Sequence, residues 1–402
     1  MSADVSHATS RKILSIAFLA AIIEGFDLQA AGVAAPKLAP AFGLTPPQIG
    51  IFFSAATIAL IFGALLGGMF ADRYGRRAGL AASLLLFGVF SLATSFAGSF
   101  EALIVIRFLT GVGLGGALPN LVSIAAEATT PEKRGQAVSI MYAGVPLGGA
   151  VASFVAMAGL HDDWKSIFIA GGILPILLII PLMTMLPPLR VTQPAISGSG
   201  NRWRDLFAPG SLLPTLLLWV GFFFGLLIVY LLINWLPALM VSKGIDRTSA
   251  ALIQILFNIG SAAGSLIAGR LLDGEKKALS AGLCFSFLIV SLVLLGNAPA
   301  NVWVTAIAAT MVGGGLLGAQ AILYGIAPQC YPAHVRGTGV GFAIAAGRLG
   351  SVAGPLLAGG LVAAGRSPSE VLMAIVPVAI FSGVATVLLL VLRRRSPAVA
   401  LA

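Results

Sequence analysis

The sequence predicts an all-α membrane protein with twelve transmembrane helices in two six-helix pseudo-repeats. Of its 402 residues, 58% are hydrophobic and 9% are charged, and the mean hydropathy is +1.01. A soluble chain of this length needs more charge to cover its surface. Twelve apolar runs are long enough to cross a bilayer core of about 30 Å. Two sequence patterns also recur half a chain length apart. The protein is therefore predicted to lie in a lipid bilayer.

The predicted spans are separated by short loops. The first follows basic residues, as in a signal peptide, but it continues past the usual apolar length to Glu24 without a clear cleavage site, which favours a retained span. The spans lie at 13–35, 48–70, 79–98, 102–124, 137–159, 166–187, 211–236, 249–272, 278–296, 301–326, 337–363 and 369–392.

The basic residues orient the spans. If both termini are cytoplasmic, seventeen of the 24 Lys and Arg residues lie inside and five outside, and the other two lie within spans. This excess follows the positive-inside rule and predicts cytoplasmic termini. The longest inside loop is rich in Pro, Gly and Ser, as in a linker. We therefore predict an N-terminal half at 1–187, a cytoplasmic linker at 188–210 and a C-terminal half at 211–402.

The two halves share loop patterns. "GGMFADRYGRR" follows span two and "AGRLLDGEKK" follows span eight, which places Asp72 and Asp273 201 residues apart. "KRGQAVSIMYAGVPLGG" and "VRGTGVGFAIAAGRLGS" align Arg134 with Arg336 at an offset of 202. Two matches at nearly one offset indicate an internal duplication.

Through these loops and "RFLTGVGLGG", which begins at Arg107, the whole chain resembles the major facilitator superfamily. The resemblance implies that helix ends move during alternating access. The second loop copy departs from this pattern, because "LLDGEKK" lacks the Asp-Arg pair. The alternative is that the loop arginines only fix topology. The candidate gating residues are Asp72, Arg73, Gly75, Arg76, Arg77, Arg107, Arg134, Asp273 and Arg336.

Four ionisable residues lie well inside spans: Glu24, Asp27, Arg107 and Arg348. Each costs a few kcal/mol or more at mid-membrane unless it is paired or faces water, so each is a candidate functional residue. Glu24 and Asp27 lie on one helix face, and two neighbouring carboxylates disfavour double ionisation, as proton coupling requires. The alternative is that both acids form a structural network with the arginines.

A substrate site is also predicted. Arg348 lies close to the midplane and is the preferred anchor for a carboxylate, whereas Arg107 could be the internal partner of an acid. Amide and phenol groups among aromatic walls would suit a hydroxylated ring, although any one amide could merely bond a neighbouring helix. Trp235 is a further cavity candidate, and the alternative is that it anchors the interface. The polar candidates are Gln29, Asn120, Tyr142, Tyr230, Asn234, Gln320 and Tyr324.

"EGFDLQAAGVAAP", "GVGLGGALPNL", "YAGVPLGGA", "LLINWLPAL" and "GRLGSVAGPLLAG" resemble the aromatic acid:proton symporter branch of the superfamily. The resemblance implies import of 3-(3-hydroxyphenyl)propionate or a related phenylpropanoid or hydroxybenzoate acid. It assigns proton coupling to Glu24 and Asp27, with the proton as coupling ion and no other cofactor. It also implies a monomer in a bacterial inner membrane, which supplies a degradation pathway.

Other functions fit less well. The basic residues form no patch with interleaved aromatics, so nucleic acid is not expected as a partner. Two cysteines and three scattered histidines predict no metal site, and no catalytic triad or nucleotide motif is visible, so an enzyme is not expected. The remaining alternatives are drug efflux, to which Arg348 is ill suited, sugar uptake, which would not need Arg348, and a non-transporting membrane sensor.

Overall fold

The structure, a computed structural model, describes residues 7–130, 134–158, 163–186, 211–271, 277–331 and 335–395. These residues form twelve α-helices and a short 3₁₀ helix at Ala327–Cys330. The α-helices are α1 His7–Phe42, α2 Pro46–Tyr74, α3 Arg76–Thr94, α4 Phe100–Glu127, α5 Arg134–Met157, α6 Lys165–Met185, α7 Leu212–Ser242, α8 Arg247–Leu271, α9 Lys277–Asn297, α10 Val302–Ile326, α11 Arg336–Ala363 and α12 Pro368–Arg395.

Each helix is long and apolar enough to cross a membrane, so the prediction of twelve spans is confirmed. The predicted bounds differ most at both ends of α1 and at the end of α7, which continues past the predicted residue 236 to Ser242. The first span was predicted to end at 35, but α1 continues to Phe42 with Pro36 and Pro40 inside it. The third was predicted to end at 98, but α3 ends at Thr94, because Ser99 already caps α4 by accepting from the backbone N–H of Ala102.

The helix ends repeat between the two halves of the sequence. Gly43 ends α1 with φ +60°, and Gly244 ends α7 with φ +93°, a region that glycine enters at little cost. Asp246 then caps α8 by accepting from the backbone N–H of Ser249. The Ser249 side chain, followed by its backbone N–H, holds the pKa of the Asp246 carboxyl below its usual value. Because Gly43 and Gly244 are 201 residues apart, these turns follow the sequence repeat.

Contacts divide the chain into two units. The first unit comprises Met1–Thr192 and Asp246–Ile255, and the second comprises Gln193–Ile245 and Leu256–Ala402. In the first unit α1 packs on α5, α2 on α4, and α3 on α6. In the second, α7 packs on α11 and α9 on α12. Gly264 of α8 also lies against Gly314 of α10. The helix pairs therefore recur six helices later. The predicted linker at 188–210 lies outside the described residues, so the predicted domain bounds stay predictions.

One pair of glycines shows how closely the repeated helices approach each other. A Cβ atom on Gly148 of α5 would lie 1.9 Å from the carbonyl oxygen of Ile22 on α1. A Cβ atom on Gly350 of α11 would lie 1.9 Å from the carbonyl oxygen of Phe223 on α7. Only glycine allows this backbone contact, as in other membrane helix pairs. These contacts fix the position of α1, which carries Glu24 and Asp27, and of α11, which carries Arg348.

Candidate functional site

A buried charged cluster lies in the first unit, where α1, α3 and α4 meet. Asp27 of α1 is 0% exposed and Arg107 of α4 is 2% exposed. Arg107 donates through Nη1 to Asp27 Oδ2 at 3.3 Å, and Ser91 of α3 donates through Oγ to Asp27 Oδ1 at 2.6 Å. Each carboxylate oxygen therefore has a donor. Charge-assisted hydrogen bonds of this kind stabilise an ionised carboxylate where water is excluded.

Aromatic rings and a glycine enclose this cluster. The Arg107 guanidinium carbon lies 5.7 Å from the ring centre of Phe168 and 5.9 Å from that of Phe52, so both rings add cation–π attraction. A Cβ atom on Gly171 of α6 would lie 3.3 Å from Asp27 Oδ1. This is tighter than most carbon contacts, so the small residue leaves room for the carboxylate.

Glu24 lies one turn before Asp27 on α1 and is 3% exposed. Between them, Gly25 faces α5, where an added Cβ atom would lie 1.9 Å from the carbonyl oxygen of Val145. The two acids therefore lie on a helix that is packed closely against its neighbour. The sequence predicted that both acids lie together within a span, and the structure places both in the interior.

A second polar group lies in the second unit, where α7, α10 and α11 meet. Arg348 of α11 donates through Nη1 to the Tyr230 hydroxyl of α7 at 2.8 Å. Tyr324 of α10 is close enough to interact electrostatically with both residues, and Gln320 lies one turn before it on the same helix face. Arg348 and Tyr324 are partly buried, whereas Tyr230 and Gln320 are buried. The structure thus brings together four predicted substrate residues from three helices.

Other predicted polar residues bond their own helices. Asn120 donates through Nδ2 to the carbonyl of Gly116, and Asn234 donates to the carbonyl of Tyr230. Asn120 is also thirteen residues, about 20 Å, along α4 from Arg107. Trp235 is buried and donates through Nε1 to the carbonyl of Pro355 at 3.1 Å, so the interpretation of an interface anchor is wrong.

Two further candidates lie in the first unit. Gln29 is buried, and its amide occupies the space beside Gly149, where an added Cβ atom would lie 1.9 Å from Nε2. Tyr142 is a partly buried residue of α5.

Sequence reasoning missed three polar residues. Ser91 was missed because serine is common in transmembrane helices and its spacing carries no signal. Gln254 and Asn258 of α8 are both buried, and Gln254 donates to the Gln29 side chain at 3.0 Å within the first unit. These two amides interrupt an apolar helix one turn apart, and that pattern could have identified them.

The loop between α2 and α3 carries several predicted gating residues. Asp72 lies 3.5 Å from Arg76, across the sharp turn at Gly75, where φ is +93°. Arg77 donates to the carbonyl of Leu186 at 2.7 Å, beyond the last residue of α6, and thereby satisfies a helix-end acceptor. Arg73 is exposed, with its guanidinium over the ring of Tyr74. This loop is therefore attached to the end of α6.

Three gating candidates remain, two of which lie at the starts of helices. Arg336 begins α11 and is exposed. Arg134 begins α5, but its side chain is not among those described, and Asp273 lies outside the described residues. Within the described part of the chain, no group of three His, Cys, Asp or Glu residues is placed to hold a metal ion.

Twelve membrane-spanning helices in two repeated units, with buried Asp27 and Arg107 in the first unit and partly buried Arg348 in the second, are typical of a secondary transporter. The chain belongs to the Major Facilitator Superfamily, which it matches over residues 17–254 and 218–401. It is 44% identical to the 3-(3-hydroxy-phenyl)propionate transporter of Escherichia coli over 97% of both chains. It is also 32% identical to the 4-hydroxybenzoate transporter of Pseudomonas aeruginosa, over 91% of this chain and 89% of that one.

A solved D-xylose–proton symporter superposes with a TM-score of 0.75 at 17% identity, covering 92% of this chain and 96% of that one. At this identity the superposition shows the fold alone. The predicted superfamily, the twelve-helix fold and the aromatic acid transporter branch are confirmed, and the relatives are named as transporters and not as enzymes. The chain is accordingly a multi-pass membrane transporter.

Proposed function

We propose that this protein is a proton-coupled symporter that imports small aromatic carboxylates by alternating access. The observation that carries the proposal is that Arg348 is partly exposed while its guanidinium donates to the phenol of Tyr230. Arg107, in contrast, is buried against Asp27, which leaves its guanidinium little surface for a ligand. A guanidinium pairs with a carboxylate through two parallel hydrogen bonds, so Arg348 is suited to an anionic substrate.

The relatives support an aromatic substrate. Their names include transporters of 3-(3-hydroxy-phenyl)propionate, 4-hydroxybenzoate and gallate, each of which carries a carboxylate on or near an aromatic ring. We assign the carboxylate to Arg348, which Tyr230 contacts, and the ring to Tyr324 and Gln320. The higher identity to the first relative favours 3-(3-hydroxyphenyl)propionate or a similar phenylpropanoid acid. Efflux of cationic drugs would place a cation beside Arg348 and is disfavoured.

Proton coupling is assigned to Glu24 and Asp27. Importing a monoanion against an inside-negative membrane potential costs about 2.3 kcal/mol per 100 mV. One proton carried with the anion cancels this electrical work and leaves the pH gradient to drive uptake. The two acids lie one turn apart in a buried segment. Because two neighbouring carboxylates disfavour double ionisation, the pair provides a site for the coupled proton.

The setting of the proposal is the inner membrane of a bacterium, with a monomer as the working unit. Both termini are assigned to the cytoplasm because seventeen of the 24 basic residues then lie on that side. In this orientation the loop with Asp72 and Arg77 is cytoplasmic, where a contact at the helix ends can control the inner opening.

Uptake into proteoliposomes tests this function. The wild type, Glu24→Gln and Asp27→Asn are reconstituted, and radiolabelled 3-(3-hydroxyphenyl)propionate is supplied with an inward proton gradient. Benzoate, 4-hydroxybenzoate and cinnamate serve as competitors, and D-xylose serves as the neutral control. We expect saturable uptake that stops when the gradient is collapsed, and a fall of about tenfold or more in both variants, the effect of about 1.4 kcal/mol.

Three results would each contradict part of the proposal. Uptake that is unaffected by collapsing the gradient would exclude proton coupling while leaving aromatic acid transport in place. Uptake of D-xylose without uptake of any aromatic acid would exclude the substrate class. Full activity in both variants would give the acids a structural role only.

A further inference from the structure

The Arg348 guanidinium is held by a neighbouring phenol. Arg348 Nη1 donates to the Tyr230 hydroxyl oxygen at 2.8 Å. Tyr230 is buried, whereas Arg348 is partly exposed. A guanidinium has five N–H donors, and this bond uses one of them. The Tyr230 hydroxyl is both the acceptor of this bond and a donor through its own O–H.

The backbone around Tyr230 is fixed by close helix packing. A Cβ atom on Gly347 of α11 would lie 2.7 Å from a Leu226 methyl carbon, and one on Gly354 would lie 2.3 Å from the Leu227 carbonyl oxygen. Five residues after Tyr230, Trp235 donates to the α11 carbonyl of Pro355 at 3.1 Å. Contacts on both sides of Tyr230 therefore fix α7 against α11 and hold the phenol at Arg348.

We propose that Tyr230 is a positioning residue. Its hydroxyl orients the Arg348 guanidinium for the substrate carboxylate and does not contact the aromatic ring of the substrate. An arginine side chain has many rotamers, and binding is weakened when they must be ordered with the ligand. A hydrogen bond to a buried phenol orders the guanidinium beforehand. This inference rests on the proposed function, because it requires an anionic substrate at Arg348.

Two substrates that differ by one hydroxyl separate this role from direct ring recognition. The variant is Tyr230→Phe, which removes the hydroxyl and keeps the ring. KM and kcat for uptake are measured with 3-phenylpropionate and with 3-(3-hydroxyphenyl)propionate. We expect KM to rise about tenfold for both acids, with kcat changed less than twofold, because hydrogen bonds to charged groups have about this effect on binding. A rise confined to the hydroxylated acid would mean that Tyr230 contacts the ring hydroxyl, and would overturn the inference.

A double-mutant cycle tests whether Tyr230 acts through Arg348. Affinities for 3-phenylpropionate are measured by calorimetry on the purified wild type, Tyr230→Phe, Arg348→Lys and the double variant. Lysine keeps the charge but lacks the planar fork. If Tyr230 orients the guanidinium, its removal changes affinity less than twofold in the Arg348→Lys background. Independent, multiplicative losses would overturn the inference.

A matched control and the wild type complete the test. Tyr331 is a buried phenol of the same unit that packs against Gly339, and Tyr331→Phe should leave KM for both acids unchanged. A wild type that takes up no aromatic acid would reject the proposed function and this inference with it. A wild type that takes up both acids while Tyr230→Phe behaves identically would reject only the inference.

Discussion

Arg107 Nη1 lies 3.3 Å from Asp27 Oδ2, and this ion pair, which is almost wholly excluded from solvent, joins the first third of α4 to the middle of α1. The partner oxygen of Asp27 accepts from Ser91. Removal of one partner from such a pair leaves a buried charge without compensation, which costs about 3–5 kcal/mol. Each of the two buried charges is therefore stabilised by the other.

The first prediction is that Arg107→Gln is less stable than Asp27→Asn/Arg107→Gln. The single variant leaves a buried carboxylate with one donor, whereas the double variant removes both charges. We expect Arg107→Gln to lose about 3–5 kcal/mol and the double variant to recover most of that loss. Thermal unfolding in detergent measures both. Equal melting temperatures for the two variants would show that the ion pair does not determine stability.

The second prediction concerns Ser91. Ser91→Ala removes a hydrogen bond to a charged group and should cost about 1.5–3 kcal/mol of stability, with reduced proton-driven uptake. Ser91→Thr retains the hydroxyl and should recover most of both properties. Ser83→Ala is the matched control, because Ser83 is a buried serine of the same helix that donates to the Gly79 carbonyl. If Ser91→Ala and Ser83→Ala have equal effects, the bond to Asp27 is unimportant.

The third prediction concerns the α1–α5 contact. Gly148→Ala places a methyl group 1.9 Å from the Ile22 carbonyl oxygen, so α5 must move away from α1. Overpacking of this kind costs about 1–3 kcal/mol or more. Gly360→Ala is the control, because a Cβ atom there meets nothing within 4 Å and alanine favours a helix by about 0.5–1 kcal/mol. Uptake and melting temperature should fall in Gly148→Ala alone.

Much of the architecture could be predicted because the bilayer imposes a simple rule. Apolar length located the spans, and an offset of about half the chain located the repeat. Helix ends were less accurate where local bonding decided them. Pro36 did not end α1, and Ser99 capped α4 sooner than the apolar run indicated. Hydropathy carries no information about either effect.

The contents of the polar clusters could be predicted only in part. Buried charge is costly in a membrane, so Glu24, Asp27, Arg107 and Arg348 could be selected from sequence. Which of these residues pair with each other could not be predicted, because pairing depends on which helix faces meet. The sequence left Arg107 as a possible partner for either acid, and the structure pairs it with Asp27. Ser91 carried no sequence signal at all.

The fourth prediction concerns Arg77, whose guanidinium donates to the carbonyls of Leu186 at 2.7 Å and Met183 at 3.4 Å. These carbonyls lie at the C-terminal end of α6, where the last acceptors have no partner within the helix and the helix dipole attracts a cation. Arg77→Ala should therefore cost about 1 kcal/mol and loosen the last turn of α6. Hydrogen exchange at the backbone amides of the last α6 turn measures this directly.

Arg73→Ala is the matched control for Arg77→Ala, since Arg73 lies in the same loop, is exposed, and contacts only the ring of Tyr74 among the interactions described for it. It removes the same charge from the same side of the membrane, so any change in topology or loop electrostatics should appear in both variants. Faster exchange in Arg77→Ala alone would identify Arg77 as the cap that attaches the α2–α3 loop to α6. Equal exchange in the two variants would leave Arg77 with the general role of a cytoplasmic charge.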